Sequence, residues 1–143
     1  MKRVVKKYGK SELLEAAAAF HGHVGPYLVL GLKAGELANK VLGSDPFEMK
    51  AEVYCPPGPP KSCIVDGIQF STGCTMGKGN IAMHASEGIR VVFTKGKKSL
   101  QVSLKSSIAA KISSLKGEAA DEMGKEFYED PAESLFDYEI KGV

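Results

Sequence analysis

The chain has 143 residues, the length of one domain with room for one hydrophobic core. Its 43% hydrophobic and 25% charged residues are the balance of a soluble globular protein, and a net charge of +2 is too small to argue for a nucleic-acid partner. No apolar run approaches the roughly 18 residues of a membrane span, and the opening "MKRVVKKYGK" lacks the apolar stretch of a signal peptide, so a cytoplasmic protein is expected, with Cys55, Cys63 and Cys74 as thiols or metal ligands rather than disulfides.

In chain order, "SELLEAAAAF" at 11–20 reads as a short helix, with Ser11 as its N-cap and alanine, the best helix former, filling its middle. "HGH" at 21–23 ends it. A second helix starts at Pro26, where a missing amide costs nothing, and runs to Leu42 before Gly43. Leu30, Ala34, Leu37, Ala38 and Val41 recur along it at the helical period and face the core. Gly31 and Gly35 lie one turn apart on this helix, and each costs about 1 kcal/mol against alanine. Close packing of another element is therefore expected there, from the same chain or from a second copy.

"EMKAEVYC" at 48–55 alternates as a strand does, and "PPGPP" at 56–60 is a stiff loop. "CIVDGIQFSTG", from Cys63, reads as a short helix that buries Ile64, Ile68 and Phe70. "GIRVVFTKGKKSLQVSLK" reads as a hairpin with strands at 90–95 and 100–105 around a turn at 96–99. Two helical segments follow: "SSIAAKISSLKG" and the broken, acidic "EAADEMGKEFYEDPAESLF". Helices first, then a mostly antiparallel sheet, then helices predict an α+β fold rather than a parallel doubly wound one. The whole chain, 1–143, forms one domain on this reading, with its core at about 10–105 and a helical C-terminal tail at 106–143.

Charge is unevenly spread. Arg90, Lys95, Lys97, Lys98, Lys105, Lys111 and Lys116 follow one another without an acid, and from Glu118 to Glu139 Lys125 is the only base. Two readings stand: a basic sheet face paired with an acidic helix of the same molecule, or a landing surface for an anionic ligand or partner.

The densest chemistry lies in "CIVDGIQFSTGCTMGKGN", Cys63 to Asn80. It is not a nucleotide loop. Three residues separate Gly73 from Gly77 where a P-loop needs four, and Gly79 follows Lys78 where a hydroxyl is required to meet magnesium. Gly77, Gly79 and Asn80 suit a tight turn, which leaves the Lys78 ammonium to meet a small anion. A metal site is a second reading. His21 and His23, two apart, cannot share one helical face but converge in a turning segment, and their nitrogens with the sulfurs of Cys63 and Cys74 suit zinc or another divalent transition metal. No C-x-x-C pair strengthens it. A third reading is a thiol enzyme: Cys63 at a helix start has its pKa lowered by the helix dipole, and Asp66, one turn on, orients His21 or His23.

Taken together, "FHGHVGPYLVLGLKAGELA" (20–38) and "CIVDGIQFSTGCTMGKGN" (63–80) resemble the FmdE family, named for a component of formylmethanofuran dehydrogenase, over roughly residues 10–105. The second block carries nearly every fixed position of that family's C-x-x-D-x-I-Q-x-x-T-G-C-T-x-G-K-G-N pattern. The resemblance implies an α+β domain, often dimeric, with a zinc-associated cleft. The matching positions are His21, His23, Cys63 and Cys74 as metal ligands, with Asp66, Gln69, Thr75 and Lys78 nearby, and Cys63, Asp66 and Lys78 as the candidate catalytic set. It also implies a small-molecule ligand, a homodimer, and association with formylmethanofuran dehydrogenase, the molybdenum or tungsten enzyme of methanogenesis that reversibly reduces CO₂, or with another redox enzyme. Neither nucleic acid nor membrane is among the expected partners.

The sequence departs from the pattern in three places. The family often has a cysteine where Gly25 stands, and Cys55 is the candidate replacement sulfur. The link before Cys63 is "CPPGPPKS" rather than a short acidic one. Many members carry a C-terminal zinc finger, and these 143 residues hold no C-x-x-C, so a single-domain member without the finger is expected. Three functions remain open: a metal-binding domain with a small ligand, a non-catalytic accessory protein of a larger complex, and a metal-free Cys-dependent enzyme.

Overall fold

The computed structural model describes residues 8–142; most of the basic opening segment, residues 1–7, lies outside them. Helix α1 (Lys10–His21) is followed by α2 (Pro26–Leu42), strand β1 (Lys50–Cys55), a single 3₁₀ turn at Lys61–Cys63, and α3 (Ile64–Thr72). Strands β2 (Ile81–Ala85), β3 (Arg90–Lys95) and β4 (Lys98–Leu104) come next, then α4 (Ser106–Ile112), α5 (Gly117–Glu129), the single turn α6 (Ala132–Leu135) and β5 (Phe136–Lys141). The expected α+β class holds.

Helix α1 starts one residue before Ser11, on Gly9, whose amide donates to the Glu12 carboxylate at 3.2 Å. Helix α2 has the expected bounds but is buried on every side along its first half. Leu28, Leu30 and Leu32 are all fully covered, each stabilising the fold by about 2 kcal/mol. The reason is its place at the centre of the helical layer, with β3 and β4 on one side and α1, α3, α5 and α6 around it. On α3, Ile64 and Ile68 are buried as expected, while Phe70 is only partly covered.

The sheet has the order β2-β1-β3-β4-β5. β1 pairs in parallel with β2, and every other pairing is antiparallel. Along β1, Ala51, Val53 and Cys55 point into the core while Lys50 and Glu52 stay exposed. The hairpin turn is tighter than expected. Lys95 pairs with Lys98, so only Gly96 and Lys97 lie between, and Gly96 supplies the positive φ of +61° that such a turn needs.

Two expectations need correction. The tail is not helical to its end, because residues 136–141 form β5 and pair with β4 from Leu104↔Phe136 to Ser99↔Lys141. The basic run also does not pair with the acidic helix. Among the described residues, no ion pair joins Arg90–Lys116 to the acids after Glu118. Those acids meet Lys10 (Glu129), Lys40 (Glu133), Lys125 (Glu122), Lys141 (Glu139) and His23 (Asp121) instead.

Candidate functional site

The site begins with a helix–helix seam. A Cβ added at Gly31 would collide with the Ile64 carbonyl oxygen, and one added at Gly67 would collide with that of Leu28. The two Cα atoms therefore meet backbone to backbone, and the close partner expected for Gly31 is α3 of this same chain. Gly35 does the same for Ser71, whose hydroxyl donates to the Gly67 carbonyl at 2.9 Å. This contact fixes the start of α3 beside the end of α1.

His21 is the last residue of α1. Gly22 follows at φ +115°, a left-handed cap that reverses the chain. The reversal lets the rings of His21 and His23 lie on one side, with centroids 5.2 Å apart and planes inclined by 34°. Each ring uses Nδ1 toward a carboxylate. His21 Nδ1 lies 2.6 Å from Asp66 Oδ2 in α3, and His23 Nδ1 lies 3.1 Å from Asp121 Oδ1 in α5. A carboxylate accepts only, so each contact holds the proton on Nδ1 and turns the other nitrogen, Nε2, outward as the group free to bind. The His21 side chain is 9% exposed and that of His23 is 58% exposed, so the first is the fixed member of the pair and the second the accessible one. A Cβ at Gly25 would stand 2.9 Å from His23 Cε1, so the missing side chain there is what makes room for the ring.

Cys63 stands at the N-terminal end of α3, half-buried, one turn before Asp66. Burial, and then the negative charge of Asp66, push its thiol above the ordinary value. This runs against the lowering expected from the helix dipole, because desolvation and a neighbouring carboxylate both disfavour a thiolate.

The remaining expected residues lie elsewhere. Cys74 is two residues past the other end of α3 and fully buried, its sulfur donating to the Met49 carbonyl at 3.5 Å. Burial raises its pKa, against smaller lowering effects from the Thr72 hydroxyl and the Lys78 charge. The nine residues of α3 set the backbones at its two ends, beside Cys63 and Cys74, about 14 Å apart in helix rise, more than the two short side chains can close. Two sulfurs on one zinc, at bonds of about 2.3 Å, stand no more than roughly 4 Å apart. Cys63 and Cys74 therefore do not share an ion in this fold. Lys78 keeps Cys74 company at the far end, in the turn after α3, with its ammonium 5.5 Å from the Phe47 ring centre. Thr75 and Gln69 build that turn: Asn80 Oδ1 accepts from the Thr75 amide and Gln69 Oε1 from the Met76 amide. Cys55 is a fully buried core residue at the end of β1, its thiol raised by burial. Among the described residues, no three histidine, cysteine, aspartate or glutamate side chains are grouped closely enough to hold a metal ion.

Asp121 carries no signal of its own in the sequence, where it is one acid of a helical run. It lines a cavity of about 390 Å³ that opens beside His23, walled by Tyr27, Pro60, Ile112 and Leu115. Pro26 and Gly117, the first residues of α2 and α5, also border it. Neither helix has a side-chain cap, so the unpaired amides at their starts give that space a positive electrostatic character.

The family described as "FmdE, Molybdenum formylmethanofuran dehydrogenase operon" matches residues 20–137, which include both histidines, α3 and α5. A "Probable S-adenosyl-L-methionine-binding protein" of Archaeoglobus fulgidus is 33% identical over 78 residues, 50% of this chain and 20% of its own length. The chain thus spans only about a fifth of that relative.

Proposed function

The chain belongs to the FmdE family, and we propose that it binds a divalent transition metal and a small ligand through His21, His23 and Cys63, at the mouth of the cavity beside His23. One observation carries the reading: both imidazoles are turned by carboxylates, Asp66 and Asp121, and among the described residues neither Nε2 has a hydrogen-bond partner. A carboxylate on the far nitrogen of a metal-ligating histidine orients the ring and raises its basicity. The donor types are those zinc takes, two imidazole nitrogens and one sulfur, but as they stand the three side chains are not grouped closely enough to hold the ion, so binding requires the exposed His23 ring to move toward His21 and Cys63. Cys74 is left out because α3 separates it from the others.

A bound ion of this kind supplies Lewis-acid chemistry to an oxygen of the ligand. The chain's own residues do the rest. Asp66 and Asp121 keep the rings in one tautomer, the apolar walls of the cavity exclude water, and the starts of α2 and α5 favour an anionic or carbonyl end of the ligand. A metal-free nucleophilic Cys63 is less well supported, because its raised thiol stays protonated at neutral pH.

Association with the enzyme in the family's description belongs to the same proposal, as does pairing of two copies. Phe20 and Met76, 63% and 74% exposed, are apolar groups that a second copy would cover. Binding of S-adenosyl-L-methionine is named for the Archaeoglobus relative, and it enters here only as one small ligand to try. The test of the metal reading is titration of tag-free protein with cobalt(II). A thiolate-to-metal charge-transfer band that is lost in Cys63→Ser and kept in Cys74→Ser supports it. A titration without that band ends it.

A further inference from the structure

A second cavity, of about 340 Å³, lies toward the opposite end of the helical layer, between the start of α1, the middle of α2, and the C-terminal ends of α3 and α5. It shares no residue with the cavity beside His23. Its floor holds Lys33, whose side chain is only 5% exposed. A buried ammonium is costly unless paired, and this one has two partners: the Glu36 carboxylate at 2.9 Å and the Tyr128 carbonyl at 3.2 Å. It also lies 5.7 Å from the centre of the Tyr128 ring, and of its three donors one has no oxygen partner among the described residues.

Asn39 supplies the opposite need. Its Nδ2 donates to the Ser71 carbonyl at 2.9 Å, which fixes which end of the amide is nitrogen. Its Oδ1 is buried and has no hydrogen-bond partner, alone in this respect among the described side chains. A buried acceptor left unmatched costs about 1–3 kcal/mol, and Asn39 is one of the residues that line the cavity. Glu36, 60% exposed, stands at the rim as a carboxylate. Leu13 and Leu32 form an apolar wall.

The cavity thus offers a cationic donor at one point and, close by on the same helix, a carboxylate and an unmatched neutral acceptor. We propose that this cavity is a binding site for a small zwitterion of the α-amino acid type. The ligand's carboxylate takes the third donor of Lys33. Its α-ammonium donates to Asn39 Oδ1 and to Glu36. Its side chain lies against Leu13 and Leu32. A simple anion would leave Asn39 Oδ1 unmatched, and a simple amine would leave the remaining donor of Lys33 unused.

The site is independent of the metal reading and is tested separately, on the full chain, by thermal shift and calorimetric titration with the twenty common α-amino acids. Each is compared with its decarboxylated amine and its deaminated acid. At least one α-amino acid is expected to raise the melting temperature and bind, while its amine and its acid do not. Lys33→Met and Glu36→Gln are each expected to weaken that binding by about tenfold or more, with the far-ultraviolet circular dichroism unchanged. Should Lys33→Met fail to fold, Glu36→Gln decides alone, since Glu36 is exposed. The proposal is overturned if no α-amino acid binds, if the amine or the acid binds as well as the parent, or if the folded variants keep wild-type affinity.

Discussion

His21 and Asp66 are 45 residues apart in the chain and 2.6 Å apart in space, and Gly31 against Gly67 is what brings them together. A side chain on either glycine drives the backbones of α2 and α3 apart. Gly31→Ala is expected to cost about 1–3 kcal/mol or more, as overpacking of a tight core does, even though alanine is the better helix former. Urea denaturation measures it. A variant as stable as the parent would show that the seam is looser than described.

Gly25 tests the same geometry without touching the core. Its φ of −92° suits any residue, so Gly25→Ala leaves the backbone unstrained. The new methyl group meets His23 Cε1 at 2.9 Å and turns the ring away from Asp121. Stability within about 0.5 kcal/mol of the parent, with weakened metal binding, is the expected result. A crystal structure of the variant with His23 still on Asp121 would count against it.

Asp121→Asn and Asp66→Asn should each lower metal affinity by about 10–100-fold, the usual effect of losing an orienting carboxylate. The Asp66 change has a second consequence. Its charge helps to hold the Cys63 thiol high, so Asp66→Asn lowers that pKa and speeds alkylation of Cys63 by iodoacetamide in metal-free protein. An unchanged rate would place the cause of the shift in burial alone.

The three thiols also set a pH dependence. Burial raises Cys55, Cys63 and Cys74 in the folded state, so the fold binds these protons more tightly than the unfolded chain does. Their contribution to stability is complete below about pH 8.5, the unfolded value. It is lost as pH rises through the folded values. Tyr27 and Tyr128, raised chiefly by burial, extend the loss above about pH 10. Unfolding free energy in denaturant is therefore expected to fall between neutral and strongly alkaline pH. A flat profile over that range would contradict the burial of the thiols.

Much of this is readable from the chain. Pro26 and Gly43 bracket α2, and the cost of Gly31 in a helix points to a close neighbour without naming it. The strand at 81–85 is not readable, because "IAMHA" buries only Ile81 fully and shows no alternation to detect. β5 does carry a signal, Phe136, Tyr138 and Ile140 alternating with Asp137, Glu139 and Lys141. It lies hidden at the end of a run whose acids read as helix surface. Asp121 looks like one solvated carboxylate among many, since only the packing of α5 on α2 brings it to His23. Cys63 and Cys74 look like a pair from eleven residues of spacing, and the helix between them is what holds them apart.

The central claim is that His21, His23 and Cys63 form one metal site and that Cys74 is outside it. Elemental analysis of tag-free protein tests it most directly, comparing the parent with His21→Ala, Cys63→Ser and Cys74→Ser, each checked for folding. One zinc-like ion per chain is predicted in the parent and in Cys74→Ser, and loss of that ion in the other two. A parent without stoichiometric metal, or a folded Cys74→Ser variant that loses it, would contradict the claim.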